Sequence, residues 1–392
     1  MQFLFYKGRK IIMRFSCDKN TLLNSLEVAT RAINGRNTMK VLTGVLIDVK
    51  NGDVTITGSD LDMTITSNFK ILDFENGQAV VNSKLLLEYV KKLKNANTTV
   101  YTDMGKLIVK SGKSSSGFIT MKYEEYPKKV INSNETCVNV LASELAISIK
   151  EVLYATSKNE IRPILTGVLF EIENGELNLV AIDGYRLSMS TLAADSEKNV
   201  FAIIPGKALK EVLKVLPKNT DTNNDKDIDI KLNISSNFAK FVIGDVSIEI
   251  RLLEGDFIKY SSLIEEKFST KLVVNKEDLE DVISRTSIID EKSNLIRMRI
   301  SKERIIITAN SKIGNAEDEL TVEELQGEEM NIAFNSKYWL EMLSAISTED
   351  GNIEINLNSN TKPAIIRKVN DDSFTGLILP MRIMGEELKE SA

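Results

Sequence analysis

The sequence predicts an α+β protein made of three tandem copies of one domain, each with two helices and antiparallel sheets. Three observations predict it: an internal repeat, an alternation of helical and strand periodicity, and too few helices to cover a parallel sheet. Leu42 to Asp60 reads LTGVLIDVKNGDVTITGSD, and Leu165 to Asp183 reads LTGVLFEIENGELNLVAID, 123 residues further on without a gap. The same offset carries Ser83-Lys84-Leu85 onto Gly206-Lys207-Ala208 and Leu22-Leu23 onto Leu145-Ala146. A third, fainter copy aligns Met298-Arg299-Ile300 and Ile305 to Ala309 with the hairpin, two residues tighter. It also aligns Asn335-Ser336-Lys337 with Asn82-Ser83-Lys84, and Val274 to Arg285 with the first helix. The copies are expected at 13–135, 136–268 and 269–383, with 1–12 and 384–392 as terminal extensions.

Within the first copy, Leu22, Leu26, Ala29 and Ile33 recur about one turn apart, which predicts an amphipathic helix from Asp18 to Ile33 with Asp18 as N-cap. Val45 to Val49 and Val54 to Thr57 flank Asn51-Gly52, a pair suited to the positive φ of a tight hairpin. A second helix is expected from Ser83 to Leu93, and strands continue to Tyr126-Pro127. Ser111-Gly112-Lys113-Ser114 has the ending of a phosphate-binding loop, but Leu107 stands where that motif needs its first glycine, and both flanks are strand-like. It reads as a surface hairpin turn.

The chain has 392 residues, 42% apolar and 27% charged, within globular averages. It contains no histidine, which removes the usual triad base, the commonest zinc ligand and the usual proton shuttle near neutral pH. Cys17 and Cys137 are too few for a disulfide framework or a thiolate metal site and read as buried or half-buried free thiols of a reducing compartment. No stretch approaches the roughly 20 apolar residues of a membrane span, and the start, apolar and then basic, is the reverse of a secretory leader. A cytoplasmic protein without a membrane partner is expected.

The net charge of −6 hides an uneven distribution. Val81 to Asn95 holds Lys84, Lys91, Lys92 and Lys94 against Glu88, and Ile204 to Asn219 holds Lys207, Lys210, Lys214 and Lys218 against Glu211. The third copy has only Lys337 against Glu341. Such lysines form either an ordinary solvated helix face or a surface of equivalent helices that meets phosphates without reading bases. On the second reading Lys84, Lys91, Lys207 and Lys214 are DNA contacts.

Asp60 and Asp62 stand close together and Asp60 has a mate in Asp183, a set that could hold Mg²⁺ in a metal-dependent nuclease or phosphatase. Their recurrence at one repeat position is explained more simply by turn capping. Trp339, at helical spacing with Leu343, is expected in the core, as are Met298 and Met342. No nucleophile–base pair, metal cluster or glycine-rich cofactor loop emerges, so a binding or scaffolding protein without a cofactor is expected.

Met13-Arg14-Phe15, Ala181-Ile182-Asp183-Gly184-Tyr185-Arg186-Leu187 and Leu379-Pro380-Met381-Arg382-Ile383, with the three copies, resemble the bacterial DNA polymerase III beta subunit family, the β sliding clamps, from Met13 to Ile383. The resemblance implies a head-to-tail homodimeric ring of six clamp domains that encircles duplex DNA, tethers the replicative polymerase and has no catalytic residues. It implies DNA contacts at Arg36 and in the loop Lys158, Asn159, Glu160 and Arg162. It also implies a pocket for short peptide motifs of polymerases, clamp loader and repair proteins, an apolar groove with an arginine at its rim. The matching wall residues are Leu165, Gly184, Tyr185, Arg186, Leu187, Leu263, Pro363, Ile378, Leu379, Pro380, Met381 and Arg382. Ile182, Tyr185, Ile258 and Ser262 depart from the family pattern of threonine, histidine, proline and arginine.

Overall fold

Asn and Asp side chains start several helices of this chain where a strand turns into one, whereas Leu141 and Pro205 stand at the corresponding junctions of the middle copy. The computed structural model describes residues 5–6, 9–10, 13–34, 39–94, 96–127, 135–196, 198–217, 228–290 and 292–382. Its helices are α1 (Lys19–Ala29), α2 (Ser83–Lys92), α3 (Ala142–Leu153), α4 (Gly206–Val215), α5 (Lys276–Ser287) and α6 (Ser336–Ala345). Asp18 caps α1, accepting from the Asn20 amide at 2.7 Å. Asn82 caps α2, Asn275 caps α5 and Asn335 caps α6, each taking a first-turn amide on its Oδ1. The recurrent Asn-Ser-Lys of the first and third copies is thus a cap and the turn that follows it.

The chain divides into two compact units, residues 1–142 with 207–252, and residues 143–206 with 253–392. The middle copy is shared between them because hydrogen-bonded sheets run across the repeat junctions. In the first unit strand Val246–Arg251 of the middle copy pairs with Met63–Lys70 of the first. In the second unit Arg186–Ala193 pairs with Asp371–Ile378, joining Arg186 to Ile378 in register.

The first unit carries a continuous antiparallel order: Thr136–Leu141, Asp229–Ile234, Phe238–Ile243, Val246–Arg251, Met63–Lys70, Asp53–Ser59, Gly44–Lys50, Gly77–Asn82, Ser114–Met121, Lys106–Ser111, Asn97–Asp103, Arg14–Asp18 and Phe74–Glu75. Asn51 (φ 54°) and Gly52 (φ 88°) make the expected hairpin turn, and Gly112 (φ 56°) makes the turn of Ser111 to Ser114. Helices α1 and α2 pack on this sheet through Leu22, Leu26, Leu86 and Val90, all buried among Phe15, Val45 and Ile47. Each such buried aliphatic contributes about 1.5–3 kcal/mol.

The second unit has two antiparallel sheets. One runs Val200–Pro205, Gly167–Glu173, Glu176–Ile182, Arg186–Ala193, Asp371–Ile378, Ala364–Lys368, Asn352–Leu357, Thr270–Asn275 and Glu324–Gly327. The other runs Gly314–Thr321, Arg304–Ser311, Leu295–Ile300 and Met330–Asn335. Trp339, Met298 and Met342 lie in its core, as the helical spacing predicts, with the Trp339 ring edge-on to Phe334. Two expectations are corrected. Helix α1 stops at Ala29, and residues 30–32 tighten into a 3₁₀ turn. Cys17 is half-buried, but Cys137 is exposed near the start of its strand. Among the described residues no helix is long and apolar enough to cross a membrane.

Candidate functional site

The Asp60 and Asp183 carboxylates close the same turn in two copies. Asp60 Oδ1 accepts from the Asp62 and Met63 amides at 3.1 and 2.8 Å, and its Oδ2 accepts from Asn34 at 2.7 Å. Asp183 Oδ1 accepts from the Tyr185 and Arg186 amides at 2.9 and 3.1 Å. The residue after the aspartate takes positive φ in both, Gly184 at 94° and Leu61 at 81°. Burial pushes the Asp60 carboxyl above its ordinary value, its amide partners opposing this. Among the described residues no group of three or more Asp, Glu, Cys or His is placed to hold a metal ion. The metal-dependent reading of Asp60, Asp62 and Asp183 therefore gives way to turn capping.

In the second unit a cavity of about 620 Å³ brings together residues expected at two separate sites. Lys158, Asn159 and Arg162, expected on DNA, share it with Leu165, Gly184, Tyr185 and Arg186, expected on peptide. Asn159 accepts from the Ile161 amide at 2.9 Å, so its side chain shapes the loop. Arg186 is the buried centre of this site, only 4% exposed. Its Nε donates to Asp183 Oδ2 at 3.0 Å, and its Nη2 donates to the Tyr154 carbonyl and lies beside Glu341 Oε2, both at 2.6 Å. The guanidinium carbon lies 4.6 Å from the Tyr338 ring centre and 5.2 Å from that of Tyr154. Burial pushes the phenols of Tyr154 and Tyr338 up. Tyr185, mostly exposed, stacks on Tyr338 with ring centres 6.0 Å apart.

The chain end comes beside Tyr185 through the sheet, but Leu263, Pro363, Leu379, Pro380, Met381 and Arg382, expected on the peptide wall, are not among the residues that line this cavity. The Leu379 amide donates to the Tyr185 carbonyl at 2.9 Å, and the Met381 amide to the Ala333 carbonyl at 2.8 Å. Leu263 and Leu379 are 40% and 39% exposed, Pro363, Pro380 and Met381 half-buried, and Arg382 exposed. Leu187 and Ile378, expected on the wall, have no exposed surface and belong to the core behind it. Of the departures from the family pattern, Ile258 lines the cavity, Ile182 is buried and Ser262 bonds to the Lys259 carbonyl. Sequence reading missed Asn294, Asn335, Lys337, Tyr338 and Glu341 as cavity residues. Lys337 and Glu341 stood out only as the third copy's single opposing pair.

A second cavity, of about 760 Å³, lies in the first unit over the repeat-equivalent sheet face. There Thr57, Ser59, Thr64 and Thr66 line an open groove, whereas their equivalents Val180, Ile182, Leu187 and Met189 form or pack against a core cluster with Phe257. Four hydroxyls in place of four aliphatics decide which copy covers that face.

Lys84, Lys91, Lys207 and Lys214 are all exposed on α2 and α4. Lys91 reaches Glu27 at 3.0 Å and Lys214 reaches Glu211 at 2.7 Å, so these two charges are partly matched within the chain. Arg36 and residues 384–392 lie outside the described residues, as do most of 1–12.

The repeated domains, with lysines exposed on α2 and α4, are those of a class of non-catalytic DNA clamps, as the comparisons show. Family models of the DNA polymerase III beta subunit match in order: its N-terminal domain at 13–130, central domain at 139–259 and C-terminal domain at 261–382. The beta sliding clamps of Staphylococcus epidermidis and Staphylococcus aureus are each 30% identical over 384 residues, covering 95% of this chain and 100% of theirs. The solved sliding clamp of Bacillus subtilis superposes with a TM-score of 0.89 at 29% identity, covering 95% of this chain and 99% of that one. That of Pseudomonas aeruginosa bound to griselimycin superposes with 0.89 at 26%, covering 95% and 100%. The chain belongs to the DNA polymerase III beta subunit family, the beta sliding clamps.

Proposed function

We propose that two copies of this chain close head to tail around duplex DNA and tether the replicative polymerase, with the cavity of the second unit as the docking point for short peptide motifs of polymerase, loader and repair proteins. The gain is topological: a closed ring cannot leave sideways, so the polymerase meets its template at high effective concentration. The observation that carries the DNA reading is the repeated lysine stripe. Lys84 and Lys91 on α2, and Lys207 and Lys214 on α4, lie seven residues apart, two helical turns on one face. Such charges hold phosphates without reading bases, which lets the protein slide. That role belongs to the cytoplasm, where the replication machinery works.

Two free sheet edges support the closure. Gly314–Thr321 ends the four-stranded sheet and carries Glu317, Asp318 and Glu319, and, among the described residues, 114–119 pair only with Lys106–Ser111, beside Lys106, Lys110 and Lys113. Unpaired edges of opposite charge invite pairing between copies. The DNA reading is tested on nicked circular plasmid. Lys84→Glu with Lys207→Glu should shorten retention and lower the salt slope by about 0.9 for each phosphate that is no longer neutralised. Retention and slope equal to the parent's would remove these helices from the DNA surface.

A further inference from the structure

We propose that the cavity of the second unit selects partner peptides bearing a carboxylate at their polar end, received by Lys337 and Arg162; this rests on reading that cavity as the peptide site. The protein is acidic overall, yet the lining holds four cations, Lys158, Arg162, Arg186 and Lys337, against two carboxylates, Asp183 and Glu341. Both carboxylates are committed to Arg186, at 3.0 and 2.6 Å, and Lys158 stands 4.0 Å from Glu341. Arg162 and Lys337 are exposed and make no ion pair among the described residues.

Arg186 supplies an independent sign of an absent acceptor. It is 96% buried, it lines the cavity, and its Nη1 has no hydrogen-bond partner among the described residues. A buried donor without a partner is costly, and native structures keep few of them. Asn335, Lys337, Tyr338 and Glu341 come from the cap and first turns of α6, a helix of ten residues whose positive end adds to the attraction for an anion. Ile161, Leu165 and Ile258 give the same cavity an apolar side. An apolar wall beside a cationic one fits a peptide with hydrophobic anchors and an acidic end better than a phosphate backbone.

The test uses the full-length protein and two fluorescein-labelled decapeptides with leucine and phenylalanine anchors, one with Asp at the polar end and one with Asn. Anisotropy titrations should show the Asp peptide bound about tenfold more tightly at low salt, the gap closing as salt rises. Lys337→Glu, an acidic residue in the first turn of a helix and so compatible with folding, should bring the Asp-to-Asn ratio to one or below. A parent ratio within twofold, or a tenfold ratio that survives Lys337→Glu, overturns the proposal. If neither peptide binds the parent, the peptide site itself is wrong and the proposal falls with it. If Lys337→Glu weakens a single-stranded oligonucleotide and leaves the peptide ratio unmoved, the cavity serves nucleic acid and the proposal is likewise overturned.

Discussion

A single carboxylate at Asp183 caps a turn and orients the buried Arg186 at once. Its Oδ1 holds two amides, and its Oδ2 holds the Arg186 Nε. Removing it leaves a buried guanidinium with Glu341 as its one close carboxylate and the Tyr154 carbonyl as a neutral acceptor among the described residues, the costly way to break a buried pair. Gly184 contributes differently: its φ of 94° suits glycine, and an added Cβ would meet nothing within 4 Å. Its cost of substitution is therefore conformational alone. Asp183→Ala should lose about 3 kcal/mol in urea unfolding and Gly184→Ala about 1 kcal/mol. Equal losses would mean that the carboxylate does no more than shape the turn.

Between elements, the second unit is pinned by an ion pair that the sequence did not announce. Glu151 of α3 and Lys368 of strand Ala364–Lys368 meet at 2.9 Å with side chains 1% and 8% exposed. Glu151 also accepts from Ser190 Oγ at 2.8 Å, and Lys368 donates to Ser373 Oγ at 3.1 Å. The two residues are far apart in the chain, and each alone is an ordinary charged residue of an amphipathic segment. Lys368→Met should cost about 3–5 kcal/mol by stranding the Glu151 charge, and adding Glu151→Met should recover most of it, since apolar replacement of a whole buried pair is often neutral. A double variant as unstable as the single one would show that the hydrogen bonds, and not the stranded charge, set the cost.

At the scale of the whole molecule, the proposed closure depends on the meeting of two copies. Light scattering should give a mass near twice 43.8 kDa. Ile119, 76% exposed on the free edge strand, should sit in that interface, so Ile119→Asp, which brings a negative charge toward Glu317 to Glu319, should shift the protein to monomer. A parent that stays monomeric at micromolar concentration would refute the closed dimer, and an unshifted Ile119→Asp variant would place the interface elsewhere.

The sequence by itself determined the repeat, the caps and hairpins, the core residues and the family, because these rest on local periodicity and on residue types at short spacing. Asp18, Asn51-Gly52 and Trp339 carry their structural reason within a few positions of themselves. The tertiary structure alone decided that Lys158 and Arg162 share a cavity with Gly184 and Arg186, that Arg186 is buried while Tyr185 is exposed, and that Glu151 meets Lys368. It also decided that the middle copy belongs half to each compact unit. Burial and charge pairing are set by strands and helices brought together from distant parts of the chain, and no local pattern encodes which carboxylate will arrive beside which cation.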